Sequence, residues 1–203
     1  MNTAQFSKRL LKASDSIFEA EDLLTDIDSR FGDADHGLTM HKVAQAIADA
    51  ANQEAGTIKE LLDNVAAKVG VLNGGSAIPL WSSLLQGMAD VAPDNDEIDL
   101  EGIKKMFSNG FEEFDFMSGA KVGDKTIMDA LKPAIDAIND SDNEDSLFED
   151  AAKAAIQGAE DTKNYTARFG RAKSFGDKTL GTQDAGALSM ACFFKGLAET
   201  NKH

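Results

Sequence analysis

Ile58, Leu61, Leu62, Val65, Val69 and Leu72 recur at spacings of three and four, which lays one apolar stripe along a helix. Thr57-Ile58-Lys59-Glu60 in front of that stripe reads as a capping box, the Thr hydroxyl and the Glu carboxylate each meeting an orphan amide. Ser146-Leu147-Phe148-Glu149 repeats the signal before Ala151, Ala155 and Ile156. Asp99 is placed to cap a stripe of Ile103, Met106, Phe107, Phe111 and Phe114. A further stripe of Ile127, Met128, Leu131, Ile135 and Ile138 contains Pro133, which should kink that helix or leave a carbonyl unpaired. Adding the segments near 4–26, 38–55, 76–91 and 184–199 gives about eight helices. No stretch alternates β-branched and polar residues for long, so a sheet is not expected. Short connections favour antiparallel neighbours, and the expected fold is all-α, a bundle or closed helical barrel built as one domain over 1–203.

Three connections are longer: 27–37, 115–125 and 164–183 are rich in glycine and charge, and long ordered loops in a compact domain are usually functional. Gly-Asp-Lys-Thr occurs at both 123–126 and 176–179, without matching flanks, and reads as two turn-rich loops rather than a duplication.

The charge balance narrows the partners. Thirty-five acidic against 20 basic residues give a formal charge of −15, a field that repels nucleic acid and anionic membranes. The densest basic run, Arg168, Arg171, Lys173 and Lys178, suits one phosphate group better than a long polyanion, and would equally serve as a solvated loop. No apolar run approaches the roughly 18 residues of a bilayer span. Lys8 and Arg9 are not followed by an apolar stretch, so no secretory signal is expected. Cys192, the single cysteine, lies among Met190, Ala191, Phe193 and Phe194 and reads as a small buried hydrophobe. The cytoplasm is the expected compartment.

Chemistry concentrates in Asp26-Ile27-Asp28-Ser29-Arg30-Phe31-Gly32-Asp33-Ala34-Asp35-His36-Gly37. Asp33 and Asp35 can converge only if the backbone bends at Ala34, with Asp28 approaching from the end of the preceding helix. Such hard oxygen ligands suit Mg²⁺ or Ca²⁺. An EF-hand fails on position, because counting from Asp33 the sixth residue is Leu38 and the twelfth is Ala44. Mg²⁺ takes few carboxylates and completes its octahedron with water and phosphate oxygens, so the cluster implies an anionic ligand as well as a metal. The competing reading is an acidic turn that caps the next helix.

Asn73-Gly74-Gly75-Ser76-Ala77 precedes a helix, where exposed amides and the helix dipole can hold phosphate, or where the glycines merely make a turn. It is not a Walker A loop, since no Gly-Lys-Ser/Thr follows. Gly181-Thr182-Gln183-Asp184-Ala185-Gly186-Ala187 offers another polar helix entrance, with Asp184 a cap in its plainest role. Arg171 could grip a phosphate bidentately.

Together these segments resemble the nucleotide-binding L subunit of dihydroxyacetone kinase. The stretches that carry the resemblance are 24–37, Gly-Gly-Ser-Ala-Ile-Pro-Leu at 74–80, Gly-Asp-Lys-Thr-Ile-Met-Asp at 123–129, and Gly-Arg-Ala at 170–172 through the run at 181–187. The resemblance implies an eight-helix barrel with two Mg²⁺ and ADP or ATP at its open end. It gives Asp28, Asp33 and Asp35 as metal ligands and, with Arg171, as the catalytic set. It puts His36, Gly37, Leu38, Thr39, Gly74, Gly75, Ser76, Ala77, Gly119, Thr126, Ile127, Arg171, Asp184, Ala185 and Gly186 at nucleotide-contacting positions. A partner subunit would hold the ketose on its own histidine, and a phosphohistidine protein rephosphorylates bound ADP in phosphotransferase-dependent members. A homodimer is compatible with the resemblance.

The departures are local. The family pattern Gly-Gly-Ala-Ser-Gly-Pro-Leu here has Ile78 for a glycine and its hydroxyl moved to Ser76; Asp-Pro-Gly is Asp184-Ala185-Gly186; Gly-Arg-Ala-Ser ends in Lys173; and Gly-His before Gln-Asp is Gly181-Thr182. A branched Ile78 resists positive φ, so the phosphate loop must differ there if the family glycine uses that region. A nucleotide-binding regulator of such a kinase and a Mg²⁺-dependent phosphohydrolase are the alternatives.

Overall fold

A computed structural model describes residues 1–199. Among these the regular structure is helical throughout: α1 (Thr3–Glu19), α2 (Glu21–Ser29), α3 (His36–Ala51), α4 (Ile58–Gly70), α5 (Ala77–Asp90), α6 (Leu100–Ser118), α7 (Met128–Asp140), α8 (Leu147–Asp161) and α9 (Ala185–Ala198). Two 3₁₀ segments, Thr162–Asn164 and Arg171–Thr179, lie between α8 and α9.

The expected segment 4–26 breaks at Ala20, whose amide bonds back to the carbonyls of Ile17 and Phe18, which makes nine helices rather than about eight. Eight of them form a ring. α1 packs on α3, α3 on α4, each later helix packs on the next through α9, and α9 returns to α1. α2 stands outside this cycle against α3 and α9.

Apolar stripes fill the ring. Trp81, Phe107, Phe114, Phe148, Phe193 and Phe194 are fully buried, and Trp81, Phe193, Phe194, Phe107 and Phe148 touch in sequence as tilted or edge-to-face pairs. Cys192 is half-buried, and burial pushes its thiol up, as befits a hydrophobe rather than a nucleophile.

The single-residue caps follow the sequence, and the two expected capping boxes do not close. Thr57 accepts from the Glu60 amide, but the Glu60 carboxylate accepts from Gly56 rather than closing the box on Thr57. Asp99 caps α6 through the Gly102 amide. Ser146 makes no side-chain cap for α8, because its backbone is already near the helical region and its carbonyl takes the Asp150 amide. Pro133 leaves α7 continuous. It offers no amide to Asp129, and the Asp129 carbonyl instead faces Gly158 of α8, where a Cβ would fall 2.0 Å from that oxygen. Gly158 thus lets α8 approach the carbonyl that Pro133 frees.

Candidate metal and phosphate site

Long loops meet at one end of the ring and enclose a cavity of about 730 Å³, lined from 27–39, 75–80, 114–127 and 169–186. α3, α5, α7 and α9 all begin at its wall, so the positive ends of four helix dipoles face it.

Asp28, Asp33 and Asp35 each offer a carboxylate oxygen within 4.8 Å of the others. Asp28 lies in the last turn of α2, and its Oδ2 accepts from the amides of Asp35 and His36 at 3.1 and 3.3 Å, which ties the loop to the start of α3. Ala34 takes φ 60, the bend that brings Asp33 and Asp35 to the same side. Gly32 leaves room for this loop, since a Cβ there would lie 2.0 Å from Asp28 Oδ1. Burial, then the charges of Asp33 and Asp28, push the Asp35 carboxyl above its ordinary range. A divalent cation would relieve that repulsion, and the all-oxygen donor set suits Mg²⁺. Arg171 supplies one counter-charge, its Nη2 lying 2.6 Å from Asp33 Oδ2.

The glycine turn before α5 faces this cluster, for a Cβ at Gly75 would stand 3.8 Å from Asp35 Oδ2. Ile78 sits in the first turn of α5, buried and helical, so no positive φ is demanded of it. Its Cδ1 occupies the space where a Gly74 side chain would stand.

His36 is half-buried, with Nε2 3.1 Å from Ser189 Oγ, and desolvation holds it below its usual pKa. Asp184 caps α9 through the Ala187 amide, and burial pushes its carboxyl up to about 7. Asp129 holds the turn before α7, accepting from the amides of Gly123 at 2.5 Å and Thr126 at 2.7 Å.

Of the expected positions, Asp28, Asp33, Asp35, His36, Thr39, Gly75, Ser76, Ala77, Thr126, Ile127, Arg171, Asp184, Ala185 and Gly186 line the cavity. Gly37, Leu38, Gly74 and Gly119 do not. Gly37 packs α3 against α2, where a Cβ would meet Thr25 and the Glu21 carbonyl. Leu38 is exposed, and Gly119 ends α6 in the left-handed conformation. Sequence reasoning missed Lys125 and the apolar wall of Leu80, Phe114, Met117 and Ala120, a slot with the chemistry to take a flat base. Phe114 was visible only as a core residue of its stripe, because periodicity cannot tell a core face from a pocket wall.

Residues 30–199 match the DAK2 domain, and the chain belongs to that family. Its relatives include L-erythrulose 1-kinase of Mycolicibacterium smegmatis, 36% identical over 179 residues, 85% of this chain but 31% of the relative. The ADP-binding subunit DhaL of the PEP-dependent dihydroxyacetone kinase 1 of Listeria innocua is 30% identical over 90% of this chain and 88% of its own. The corresponding DhaL of Escherichia coli is 28% identical over 98% and 97%. The chain therefore spans under a third of the erythrulose kinase and nearly all of the separate subunits. The crystal structure of the dihydroxyacetone kinase from C. freundii in complex with AMP-PNP and Mg²⁺ matches with a TM-score of 0.73 at 25% identity, over 95% of this chain and 33% of that one. Among the described residues no helix is long and apolar enough to cross a membrane.

Proposed function

We propose that this chain is the nucleotide-binding subunit of a short-ketose kinase, passing phosphate from Mg²⁺-bound ATP, or from rephosphorylated ADP, to a ketose held by a partner subunit. The observation that carries this reading is the convergence of Asp28, Asp33 and Asp35 within 4.8 Å of one another, at a cavity walled by four helix N-termini. Those carboxylates would hold one or two Mg²⁺, which neutralise charge on the transferring phosphoryl group when bound.

The chain's own groups supply the remainder. Amides at the starts of α5 and α9 donate to phosphate oxygens, and Arg171 adds a charged fork at the rim. The base lies in the apolar slot between Leu80 and Met117, away from the cations. Water is kept from the reacting end by a partner that closes the mouth.

The ketose is held elsewhere. His36 is engaged by Ser189 at 3.1 Å and His41 by Glu21 at 2.7 Å, so neither is free to anchor a carbonyl; His203 falls outside the described residues. A partner subunit fits this division, as does the length by which the erythrulose kinase exceeds this chain. Dihydroxyacetone or erythrulose is the substrate class, and the partner presents it to the loops at 27–37, 73–78 and 164–186.

Denaturing the purified protein and identifying what it releases by mass and absorbance tests the binding half of this reading. ADP or ATP, retained only when Mg²⁺ is present, is expected. A protein that neither releases nor takes up an adenine nucleotide with Mg²⁺ would refute it.

A further inference from the structure

Among the described residues Lys125 is the only lysine or arginine that is buried, at 5% exposure. No ion pair to a carboxylate accounts for it among those residues. Its Nζ donates to the carbonyls of Thr162 at 2.7 Å and Thr179 at 2.9 Å, and to that of Thr182. An ammonium has three N–H groups, so all of them are spent on main-chain oxygens. The three acceptors belong to separate pieces of chain: the 3₁₀ turn after α8, the end of the 3₁₀ segment Arg171–Thr179, and the approach to α9.

The backbone is shaped to aim this side chain. Lys125 takes φ 62 and Gly123 φ 98, and the Asp129 carboxylate pins the turn at both ends through the Gly123 and Thr126 amides. A lysine persists in the left-handed region only where its surroundings fix it. Burial pulls the Lys125 pKa down, and the charges of Asp184 and Asp129 oppose that pull.

The acceptors bracket the loop that bears Arg171. Residues 168–171 are exposed, and the loop's other ties lie mostly at its ends and surface: the Arg168 amide to Asp124 O at 3.1 Å with a looser ion pair to the same residue's carboxylate, the Gly181 amide to Lys163 O at 2.8 Å, the Asp184 amide to Thr162 Oγ1 at 2.9 Å, the Phe31–Phe175 ring contact and the exposed Arg171–Asp33 pair. On the far side of Lys125, the next residues are Thr126 and Ile127 of the cavity wall.

We infer that Lys125 is a positioning residue: by gathering the carbonyls of Thr162, Thr179 and Thr182 it moors the 165–184 loop to the turn before α7 and so sets where Arg171 stands over the aspartates. Its functional half rests on the nucleotide-binding reading above; the mooring itself does not. Methionine at this position fills a similar volume but leaves the Thr182 carbonyl without its donor, and those of Thr162 and Thr179 with only the local turn amides of Tyr165 and Thr182. Arginine keeps the charge but spreads its donors in a rigid plane that cannot meet three oxygens around one nitrogen.

Amide hydrogen exchange on the whole protein, read by mass spectrometry without nucleotide, tests the mooring. Lys125→Met should speed exchange about tenfold or more in peptides covering 165–184, with α1, α4 and α5 protected as in the native chain. Lys125→Arg should show the same pattern more weakly, and gives the reading if the methionine variant does not fold. Loop protection unchanged from native, or protection lost evenly across the helices, would overturn the proposal.

The second arm measures Mg²⁺–ADP affinity for Lys125→Met, Arg171→Ala and the double variant. If Lys125 acts through Arg171, the double variant should bind within about twofold of Arg171→Ala alone. Losses that multiply in full would overturn the coupling. A native protein that binds no nucleotide would defeat the functional reading and leave the exchange data to judge the mooring.

Discussion

Arg171 Nη2 lies 2.6 Å from Asp33 Oδ2, so the loop before α9 reaches the loop before α3 across the mouth of the cavity. The guanidinium is largely exposed, and an ion pair in that setting contributes little to stability. Its value is positional, a planar fork held over the carboxylates where phosphate would sit. Arg171→Lys should weaken ADP binding by about 1–3 kcal/mol through lost bidentate geometry. Calorimetric titration of both proteins measures this, and equal native affinity for adenosine and ADP would contradict a phosphate contact.

Removing a ligand should be more severe. Asp33→Ala or Asp35→Ala should abolish Mg²⁺-dependent nucleotide retention, while far-ultraviolet circular dichroism stays native because both side chains are exposed. Undiminished ADP affinity in either variant would show that the cluster is only an acidic turn.

Gly32 offers a separate route to the same site. The methyl group of Gly32→Ala would fall 2.0 Å from Asp28 Oδ1 and 2.8 Å from the Asp28 carbonyl, so the carboxylate must move. Mg²⁺ affinity should fall about 10- to 100-fold, the range seen when groups that orient a ligand are lost. The melting temperature should hardly change, because the loop is exposed. Unaltered Mg²⁺ binding would mean that Asp28 is not a ligand.

How far did the sequence reach? The apolar stripes predicted the helices because a period of 3.6 is a local property, and Ala34 had to bend because two aspartates two apart cannot otherwise converge. The break at Ala20 was hidden, since the apolar pattern of Phe18 and Leu24 runs through it. Lys125 was hidden for another reason: its three acceptors are main-chain carbonyls 37 to 57 residues away, and carbonyls leave no trace in a sequence. The two Gly-Asp-Lys-Thr turns do share positive φ at Gly123 and Gly176, and Lys125 of the first bonds to Thr179 of the second, while Lys178 is exposed. They are two turns of different use that happen to meet.

Asp184 makes stability depend on pH. Its carboxyl titrates near 3.8 when unperturbed and at about 7 in the folded chain, because burial disfavours the charge. Between about pH 4 and 7 the folded form keeps a proton that the unfolded form has lost, so stability falls as pH rises through this window. Asp184→Asn retains an acceptor for the Ala187 amide but cannot ionise. In metal-free protein the melting temperature of this variant, relative to native, should climb from pH 4 to 7 and then level off. A constant difference across that range would show that Asp184 is ionised throughout.

The division of labour between this chain and a ketose-holding partner is tested most directly by reconstitution. Incubated alone with ATP, Mg²⁺ and dihydroxyacetone, the protein should yield no sugar phosphate above background. Adding a cognate ketose-binding subunit should produce turnover, and replacing native protein with Asp28→Ala should remove it. Turnover by the chain alone would contradict the subunit reading, and silence with every ketose-binding partner, despite tight Mg²⁺–ADP binding, would contradict phosphoryl transfer.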